Sequence, residues 1–309
     1  MRFCPAGFLI VDKPRGAVSR AITSRLHRSI AESLGATRKS IKVGHVGTLD
    51  PLATGVLVVS IGTATRLSNL LHDEPKRYLA TFDWGWRSET ADTTGPLFAV
   101  PQPRSVDPAE LQSVLPQFVG TVTQRPPSFS AKRVDGRRAY ELARRGRPVE
   151  MPETTVQIDA IDLVAVDDDS FTIDVRCGAG TYIRSLGRDI AAACGSSAVM
   201  SALRRTRTGP FLIDQAQPPA AVIASPLKCL TPARVAIAGR MPEHAISERQ
   251  AVDIRNGSPL PGGDDFAAAP QVACLMGEEL VALAEPIGDA LQPRLVFPRK
   301  PLVPSHGRW

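Results

Sequence analysis

The hydrophobic positions of the chain follow both helical and strand periodicity, which predicts an α+β fold. Residues 8–11 form a short apolar run typical of a strand, and apolar residues then recur every four positions from Val18 to Leu34, as on one face of a helix. Every second residue is apolar from Tyr78 to Trp84 and from Phe171 to Val175, which indicates two more strands. Because the spacing of these elements is irregular, we expect a mixed sheet rather than a doubly wound parallel sheet.

The pattern changes toward the C-terminus. Prolines become frequent after residue 215, and the segment 244–309 contains short apolar runs separated by glycine and proline. This arrangement is typical of a small β-rich unit. We therefore expect two domains, one over residues 1–240 and one over residues 244–309. We expect the second domain to bind or stabilise rather than to catalyse.

Charge adds an expectation about the partner. The 309 residues carry a formal net charge of +6, and eight basic residues lie between Arg125 and Arg147, where only two acidic residues oppose them. A second basic cluster occupies residues 204–207. A run of charges is often only a solvated surface. Two separate patches of one sign nevertheless favour contact with the phosphates of a folded nucleic acid.

Several classes of protein are disfavoured. No apolar run approaches the length of a membrane span, and the apolar stretch near the N-terminus is too short for a signal peptide, so we expect a cytoplasmic protein. The five cysteines form no C-x-x-C pair, and the five histidines show no metal-ligand spacing. The glycine-rich segment 178–181 is not followed by the Lys-Ser/Thr of a nucleotide-binding loop. We therefore predict no metal and no cofactor.

The most specific segment is Lys42–Gly55, which reads KVGHVGTLDPLATG and contains an acid, Asp50, just before a proline. Such an acid is often only a turn former that accepts backbone hydrogen bonds. Five further segments accompany it, namely GFLIVDKPRG at 7–16, KRY at 76–78, the basic stretch at 125–146, GTYIRSL at 180–186 and LRRT at 203–206. With these segments in this order and at this spacing, the chain resembles the TruB family of bacterial tRNA pseudouridine 55 synthases from about Gly7 to the C-terminus.

The resemblance implies a fold and an activity. The implied fold is a pseudouridine-synthase catalytic domain with a mixed, mainly antiparallel sheet, an RNA-binding thumb insertion at about residues 122–150 and a small PUA-like C-terminal domain. The implied reaction is the isomerisation of uridine to pseudouridine in the TΨC loop, at position 55 of tRNA, after the base has been flipped out of the loop. The implied partner is the TΨC stem-loop of tRNA, with no membrane and no obligatory protein partner.

The resemblance also assigns residues. Asp50 corresponds to the catalytic aspartate of the family, Arg184 to the arginine that pairs with it, and Tyr78 to the tyrosine that stacks on the target base. The substrate-binding positions are His45, Tyr78, Tyr182 and Leu203. The basic residues expected to bind RNA are Lys132, Arg133, Arg137, Arg138, Arg144, Arg145, Arg204 and Arg205. The family's Thr-x-Asp-x-x-Gly pattern recurs at 90–95, and we assign it no catalytic role.

These residue types suit the implied chemistry. Isomerisation of uridine breaks the N1–C1′ bond, turns the base and joins C5 to the same carbon. Asp50 could attack C6 of the base or take part at C1′, and the sequence leaves both routes open. A nearby Arg184 would keep the carboxylate ionised under the base. Tyr78 could restore the stacking that the extruded base loses, although its place in an alternating strand also fits a core tyrosine.

Two alternatives remain open. The chain could bind or fold tRNA without turnover, but a pure binder would not need a carboxylate beside phosphates. It could also be a guide-RNA-dependent pseudouridine synthase that works inside a multiprotein particle. A thumb insertion with its own positive charge favours a stand-alone enzyme. The decisive observation is whether the purified protein alone modifies unguided tRNA.

Overall fold

The computed structural model describes residues 4–101, 104–129, 133–134, 137–138 and 151–299. Its helices are α1 (Ser19–Ser33), α2 (Ser68–His72), α3 (Pro108–Val114), α4 (Ile183–Ala193), α5 (Pro219–Ala224) and α6 (Glu248–Arg255). Its strands are β1 (Gly7–Lys13), β2 (Val43–Val46), β3 (Thr54–Ile61), β4 (Lys76–Trp84), β5 (Trp86–Arg87), β6 (Phe98–Ala99), β7 (Gly120–Gln124), β8 (Arg133–Val134), β9 (Arg137–Arg138), β10 (Thr154–Val166), β11 (Ser170–Cys177), β12 (Ala198–Thr208), β13 (Phe211–Leu212), β14 (Thr231–Pro232), β15 (Glu243–Ala245), β16 (Leu260–Pro261), β17 (Val272–Met276), β18 (Glu279–Ile287) and β19 (Ala290–Val296). Within these ranges no helix is long and apolar enough to cross a membrane.

A ten-stranded sheet forms the framework of the larger part of the molecule. Eight of its strands follow the order β14-β1-β3-β12-β4-β11-β10-β7, while β2 pairs with β3 and β13 pairs with β12. The pairs are antiparallel except for β3 and β12, which run parallel where Thr54 and Gly55 meet Arg204 and Arg205. The expected α+β class with a mixed, mainly antiparallel sheet is confirmed.

Both faces of the central strands are covered, which explains why β1 and β3 read as apolar runs rather than as alternating strands. In β1, Leu9 and Val11 pack into the cluster on the side of α1 and α4, whereas Phe8 and Ile10 pack into the cluster on the other side. There Phe8 meets Phe211, with the ring centroids 5.2 Å apart. The strand that precedes the turn at Lys13 and Pro14 is therefore anchored from both sides.

The two helices nearest the specific sequence segments lie where the periodicity predicts. They bury the apolar positions of the pattern, namely Ile22, Leu26 and Ile30 in α1 and Ile183, Leu186 and Ile190 in α4. The chain leaves α1 through Gly35, whose φ of +58° is a conformation that favours glycine. Both helices belong to one core cluster, so the loops at their N-terminal ends are held by packing as well as by hydrogen bonds.

The last part of the chain forms a five-stranded sheet of order β15-β17-β18-β19-β16, and α6 packs against it through Ala251 and Ile254. On its other face, Leu275 and Leu283 share an apolar cluster with Phe8 of the large sheet. The predicted β-rich C-terminal unit is present, and it is joined to the larger part by apolar contacts. The division into domains at residues 1–240 and 244–309 stays a prediction.

Most of the predicted thumb insertion lies outside the described residues. Its described parts are β7, the loop from Arg125 to Phe129 and the short pair of β8 and β9, in which Arg133 is opposite Arg138. Lys132, Arg144 and Arg145 lie outside the described residues. For Arg133, Arg137 and Arg138 only the strand positions are described.

The contact between α4 and β4 provides a test of the packing. A Cβ atom at Gly187 would lie 1.9 Å from Cε1 of the buried Phe82 ring, which stacks on Phe171 with centroids 4.9 Å apart. We expect Gly187→Ala to lower the free energy of unfolding by about 3 kcal/mol, because the overpacked ring cannot shift without disturbing its neighbour. Urea unfolding measures the change. The matched control is Gly44→Ala, where the nearest heavy atom to the added Cβ is 3.8 Å away, and an equal loss in both variants would contradict the packing described here.

Candidate active site

The register of the large sheet brings three of the specific sequence segments into one row. Gly55 of β3 pairs with Arg205 of β12, Arg205 pairs with Tyr78 of β4, and Tyr78 pairs with Val175 of β11. A cavity of about 300 Å³ lies beside this row. The predicted site residues that line the cavity are Asp50, Tyr78, Tyr182, Arg184, Leu203 and Arg205. Segments that are far apart in the chain are therefore brought together by strand pairing.

Asp50 lies in the loop before β3, and this loop is held by the segment that precedes α1. The backbone N–H of Gly16 donates to the carbonyl of Pro51 at 2.7 Å. The hydroxyl of Ser19 donates to the carbonyl of Leu49 at 2.9 Å and accepts from its N–H at 3.2 Å. The two motifs that were recognised separately in the sequence therefore form one structural unit, and this unit fixes the position of the Asp50 carboxylate.

Arg184 in the first turn of α4 binds that carboxylate. Its side chain is 6% exposed and its Nε lies 3.0 Å from Oδ2 of Asp50, which is 39% exposed toward the cavity. Nη1 donates to the carbonyl of Thr90 at 2.7 Å, and Nη2 donates to the carbonyl of Phe129 at 3.1 Å. The guanidinium is therefore held on several sides, while the carboxylate keeps one side open to a ligand.

Asp92 completes this network, although the sequence analysis gave it no role. It is 3% exposed, and its Oδ2 lies 3.6 Å from Nη1 of Arg184. Its Oδ1 accepts hydrogen bonds from the hydroxyl of Thr90 at 2.7 Å and from the N–H of Thr94 at 2.9 Å. The Thr-x-Asp-x-x-Gly pattern at 90–95 was the signal in the sequence that could have drawn attention to Asp92. Only the fold shows that Asp92 faces Arg184.

Tyr78 combines the two interpretations that the sequence left open. It shares a face of β4 with the buried residues Ala80 and Phe82, and its ring also lines the cavity. Burial raises the pKa of its hydroxyl, and the charge of Arg205 and a hydrogen bond from it act in the opposite direction without reversing the shift. The phenol is therefore neutral at physiological pH, and its ring presents an apolar wall to the cavity.

Tyr182 and Leu203 supply further walls. Tyr182 is the residue before the first turn of α4, and its backbone N–H donates to Oε1 of Gln124 at 3.1 Å. Leu203 lies on β12 and is 8% exposed, with its small accessible area facing the cavity. Their positions agree with contacts to a flat ring placed over Asp50, and their roles as substrate-binding residues stay predictions.

His45 lies behind the cavity rather than in its wall. Its Nδ1 and Nε2 lie 3.2 Å from the hydroxyl oxygens of Thr23 and Thr48, and of these two threonines Thr48 lines the cavity. The pKa of His45 is lowered by burial and by the charges of Arg205 and Arg20. The ring is neutral at physiological pH, so a contact with RNA would be a hydrogen bond rather than an ion pair.

The two neighbouring arginines of β12 point to opposite sides. Arg204 is 40% exposed and its Nη2 lies 2.9 Å from Oδ2 of Asp12. Arg205 is 1% exposed, and it donates to the carbonyls of Val56 and Gly47, each at 2.8 Å. Alternation along the strand turns Arg205 beneath the cavity rather than onto an exposed surface, and its role in RNA binding stays a prediction.

Like Arg205, Lys13 is a buried cation, and the sequence did not predict its burial. It is 0% exposed, and its Nζ donates to the carbonyls of Ala53 at 2.5 Å and of Pro14 and Pro51 at 3.2 Å. Burial lowers the pKa of Lys13 to about 8, with Asp50 acting against the shift and Arg205 adding to it. Its hydrogen bonds close the loop that carries Asp50.

The lowered pKa of Lys13 predicts a pH dependence of stability. The unfolded chain binds the proton more tightly than the folded chain, so the penalty for burying the charge is present below pH 8 and is relieved as the pH rises toward 10.5. Relative to Lys13→Met, the wild-type free energy of unfolding should therefore rise by up to about 3 kcal/mol across this interval. Urea unfolding of both proteins at pH 7.5 and at pH 10 measures the difference, and a constant difference would contradict the buried charge.

The chain is similar to a family model described as "TruB family pseudouridylate synthase (N terminal domain)", which matches residues 35–183. It is 44% identical over 210 residues to "tRNA pseudouridine synthase B" of Rhodopirellula baltica, and 44% identical over 211 residues to the protein of that name from Gluconobacter oxydans. Each of these matches covers 68% of the chain, and they span only 60% and 61% of the two relatives.

Two further similarities extend over nearly the whole chain. "tRNA pseudouridine synthase B" of Synechococcus sp. strain WH7803 is 35% identical over 303 residues, which cover 95% of the chain and 98% of that relative. Among solved structures, a Cbf5-Nop10-Gar1 complex contains a chain with a TM-score of 0.68 and 25% identity, covering 95% of this chain and 85% of that one. An H/ACA RNP bound to a substrate RNA containing 2′-deoxyuridine also gives a TM-score of 0.68, at 24% identity, with 95% of this chain and 86% of that chain covered. The similarity therefore includes the C-terminal β-rich part.

Proposed function

Because the chain belongs to the TruB family of pseudouridylate synthases, we propose that it is an enzyme that isomerises uridine to pseudouridine in the TΨC loop of tRNA, at position 55. The observation that carries the proposal is the carboxylate of Asp50, which faces the cavity while buried Arg184 holds it from behind at 3.0 Å. A protein that only bound RNA would have no reason to place a fixed carboxylate in the middle of a basic cavity, since it would repel phosphates.

The cavity suits a uracil that has been flipped out of its loop. The extruded base loses stacking and pairing, and an enzyme must replace both. Tyr78 provides a ring on which the base can stack, while Leu203 and Tyr182 provide the remaining walls. Asp50 then lies beside the base and the ribose, where it can attack C6 or take part at C1′. Both routes use the same carboxylate held by the same arginine.

The reaction conserves the atoms of the nucleoside apart from exchange of one proton. The N1–C1′ bond breaks, the base turns within the cavity, and the C5–C1′ bond forms. The hydrogen on C5 is released to solvent and N1 takes up a proton. Arg184 holds the Asp50 carboxylate in place through the ion pair at 3.0 Å, and Asp92 in turn orients Arg184. Release of the C5 hydrogen gives the reaction a direct readout.

The proposed substrate is the TΨC stem-loop of tRNA, and we propose that the enzyme acts in the cytoplasm without a guide RNA or an obligatory protein partner. The sequence relatives carry the name tRNA pseudouridine synthase B, which supports tRNA as substrate. The partly exposed Arg204 and the basic residues of the thumb insertion are proposed to contact the RNA backbone. The guide-dependent alternative is an outcome of the test below.

The proposal predicts that Asp50→Asn abolishes turnover and leaves tRNA affinity within about threefold of wild type, because phosphate contacts rather than one carboxylate supply affinity. The measurement is release of tritium from [5-³H]uridine in an unmodified tRNA transcript, without metal, cofactor or guide RNA. A binding assay with the same transcript accompanies it.

A transcript with cytidine in place of the TΨC-loop uridine is the control, and it should release no tritium above the Asp50→Asn background. Tight binding without release by the wild type would refute the proposed activity and favour the binding or guide-dependent alternative. Equal release by wild type and Asp50→Asn would remove Asp50 from the mechanism.

A further inference from the structure

Buried cations outnumber buried anions around the cavity. Four cationic side chains there are at most 6% exposed, namely Lys13, Lys76, Arg184 and Arg205. The acids in ionic contact with them are Asp50 and Asp92, and both lie against Arg184. Among the described residues, the other three cations have no carboxylate within 4.0 Å. A buried charge without an ionic partner is unfavourable, so this surplus calls for an anion supplied from outside the chain.

Lys76 is the surplus cation that a ligand can reach. It is 6% exposed, lines the cavity and lies two residues before Tyr78 on the same face of β4. Its Nζ donates to the backbone carbonyl of His72, which accounts for one of the three donors of an ammonium group. Glu74, the nearest acid in sequence, is paired with Arg240 instead.

The electrostatics of Lys76 agree with a missing counter-charge. Burial is the largest cause that lowers its pKa, and the positive charge of Arg205 adds to the effect. Cys177, Asp73 and Glu74 act in the opposite direction without cancelling the shift. An anion placed beside Nζ would remove this penalty.

The cavity leaves room for such an anion. Its wall near Lys76 includes His72 and the turn of residues 178–181 before α4. A Cβ atom at Gly180, where φ is +81°, would meet nothing within 4 Å. The open turn and the ammonium group together leave space that a flat uracil on Tyr78 does not need.

We propose that Lys76, backed by Arg205, forms a subsite for one of the two phosphates that flank the extruded uridine. The inference rests on the proposed function, because it takes the base to lie on Tyr78. Two residues along a strand span about 7 Å, which is comparable to the separation between a base and a phosphate of its own nucleotide. A neutral base or nucleoside would leave the surplus charge unpaired, whereas a phosphodiester neutralises it.

The subsite makes the cavity recognise a nucleotide within a chain rather than a free base. Lysine binds phosphate as a point charge, so the contact tolerates the rotation that extrusion requires. Arg205 acts through its charge, because its Nε and Nη2 are already bonded to the carbonyls of Val56 and Gly47. Removal of the Lys76 side chain should therefore reduce the contribution of one particular phosphate to binding.

The experiment is a double-mutant cycle. It combines variants of Lys76 with RNA stem-loops in which one phosphodiester is replaced by an uncharged linkage. Stem-loops of the TΨC arm carry a methylphosphonate either 5′ or 3′ of the target uridine. Each has a phosphodiester control with the same 2′-O-methyl protection of the adjoining ribose. Dissociation constants are measured for wild type, for Lys76→Met and for Lys76→Gln, which keeps a donor for the His72 carbonyl. Lys228→Met removes an exposed lysine and is the matched control.

We expect Lys76→Met and Lys76→Gln to weaken binding of the phosphodiester stem-loop about tenfold, and to reduce the slope of log affinity against log salt by about 0.7. One of the two methylphosphonates should weaken wild-type binding by a similar factor and should cost the Lys76 variants almost nothing more. Lys228→Met should bind as wild type does. The two Lys76 variants should have similar dissociation constants, and both should unfold cooperatively on heating. Weaker binding would then not result from loss of folding.

The inference is overturned if both methylphosphonates weaken wild type and the Lys76 variants by the same factors, or if neither weakens wild type. The proposed function is judged separately by tritium release from the all-phosphodiester stem-loop. If wild type releases tritium but shows no coupling between Lys76 and a phosphate, the proposed function stands and the phosphate subsite is refuted. Wild type that binds without release loses the function.

Discussion

The ion pair between Arg184 and Asp50 is the interaction on which the site depends. A guanidinium that is 6% exposed is stable only if its donors are satisfied, and here the carbonyls of Thr90 and Phe129 and the carboxylates of Asp50 and Asp92 share that task. Three separate segments of the chain therefore converge on one side chain. Because the arginine is fixed from the inside, the carboxylate that it holds is fixed as well, which is the preorganisation that the proposed reaction needs.

The mixed sheet makes this convergence possible. The parallel pairing of β3 with β12 places the loop of Asp50 beside the row that contains Arg205 and Tyr78. The Asp50 loop is then locked by Lys13, whose ammonium closes it through three carbonyls. Buried cations thus serve two purposes: they hold the loop from below, and they make the cavity receptive to a phosphate.

Much of this could be predicted from the sequence, because the signals were local. Apolar periodicity located α1, α4 and β4, and the order of the specific segments indicated the family and the Asp50, Tyr78 and Arg184 set. The features that could not be predicted depend on how segments that are distant in the sequence pack together in the fold. Arg205 looks like one more surface arginine until strand alternation turns it inward, and the pattern at 90–95 gave Asp92 no role until the fold brought it to 3.6 Å from Arg184. The burial of Lys13 and Lys76 likewise follows from packing that no short motif encodes.

The geometry of the central ion pair can be tested directly with Arg184→Lys. A lysine keeps the positive charge but cannot bond Asp50 and the carbonyls of Thr90 and Phe129 in one plane. The decisive measurement is the single-turnover rate of tritium release by this variant, alongside its affinity for the same tRNA. We predict a loss of about 100-fold or more in rate with affinity close to wild type. A rate near that of wild type would show that charge alone suffices and would contradict the central role given to the fixed arginine.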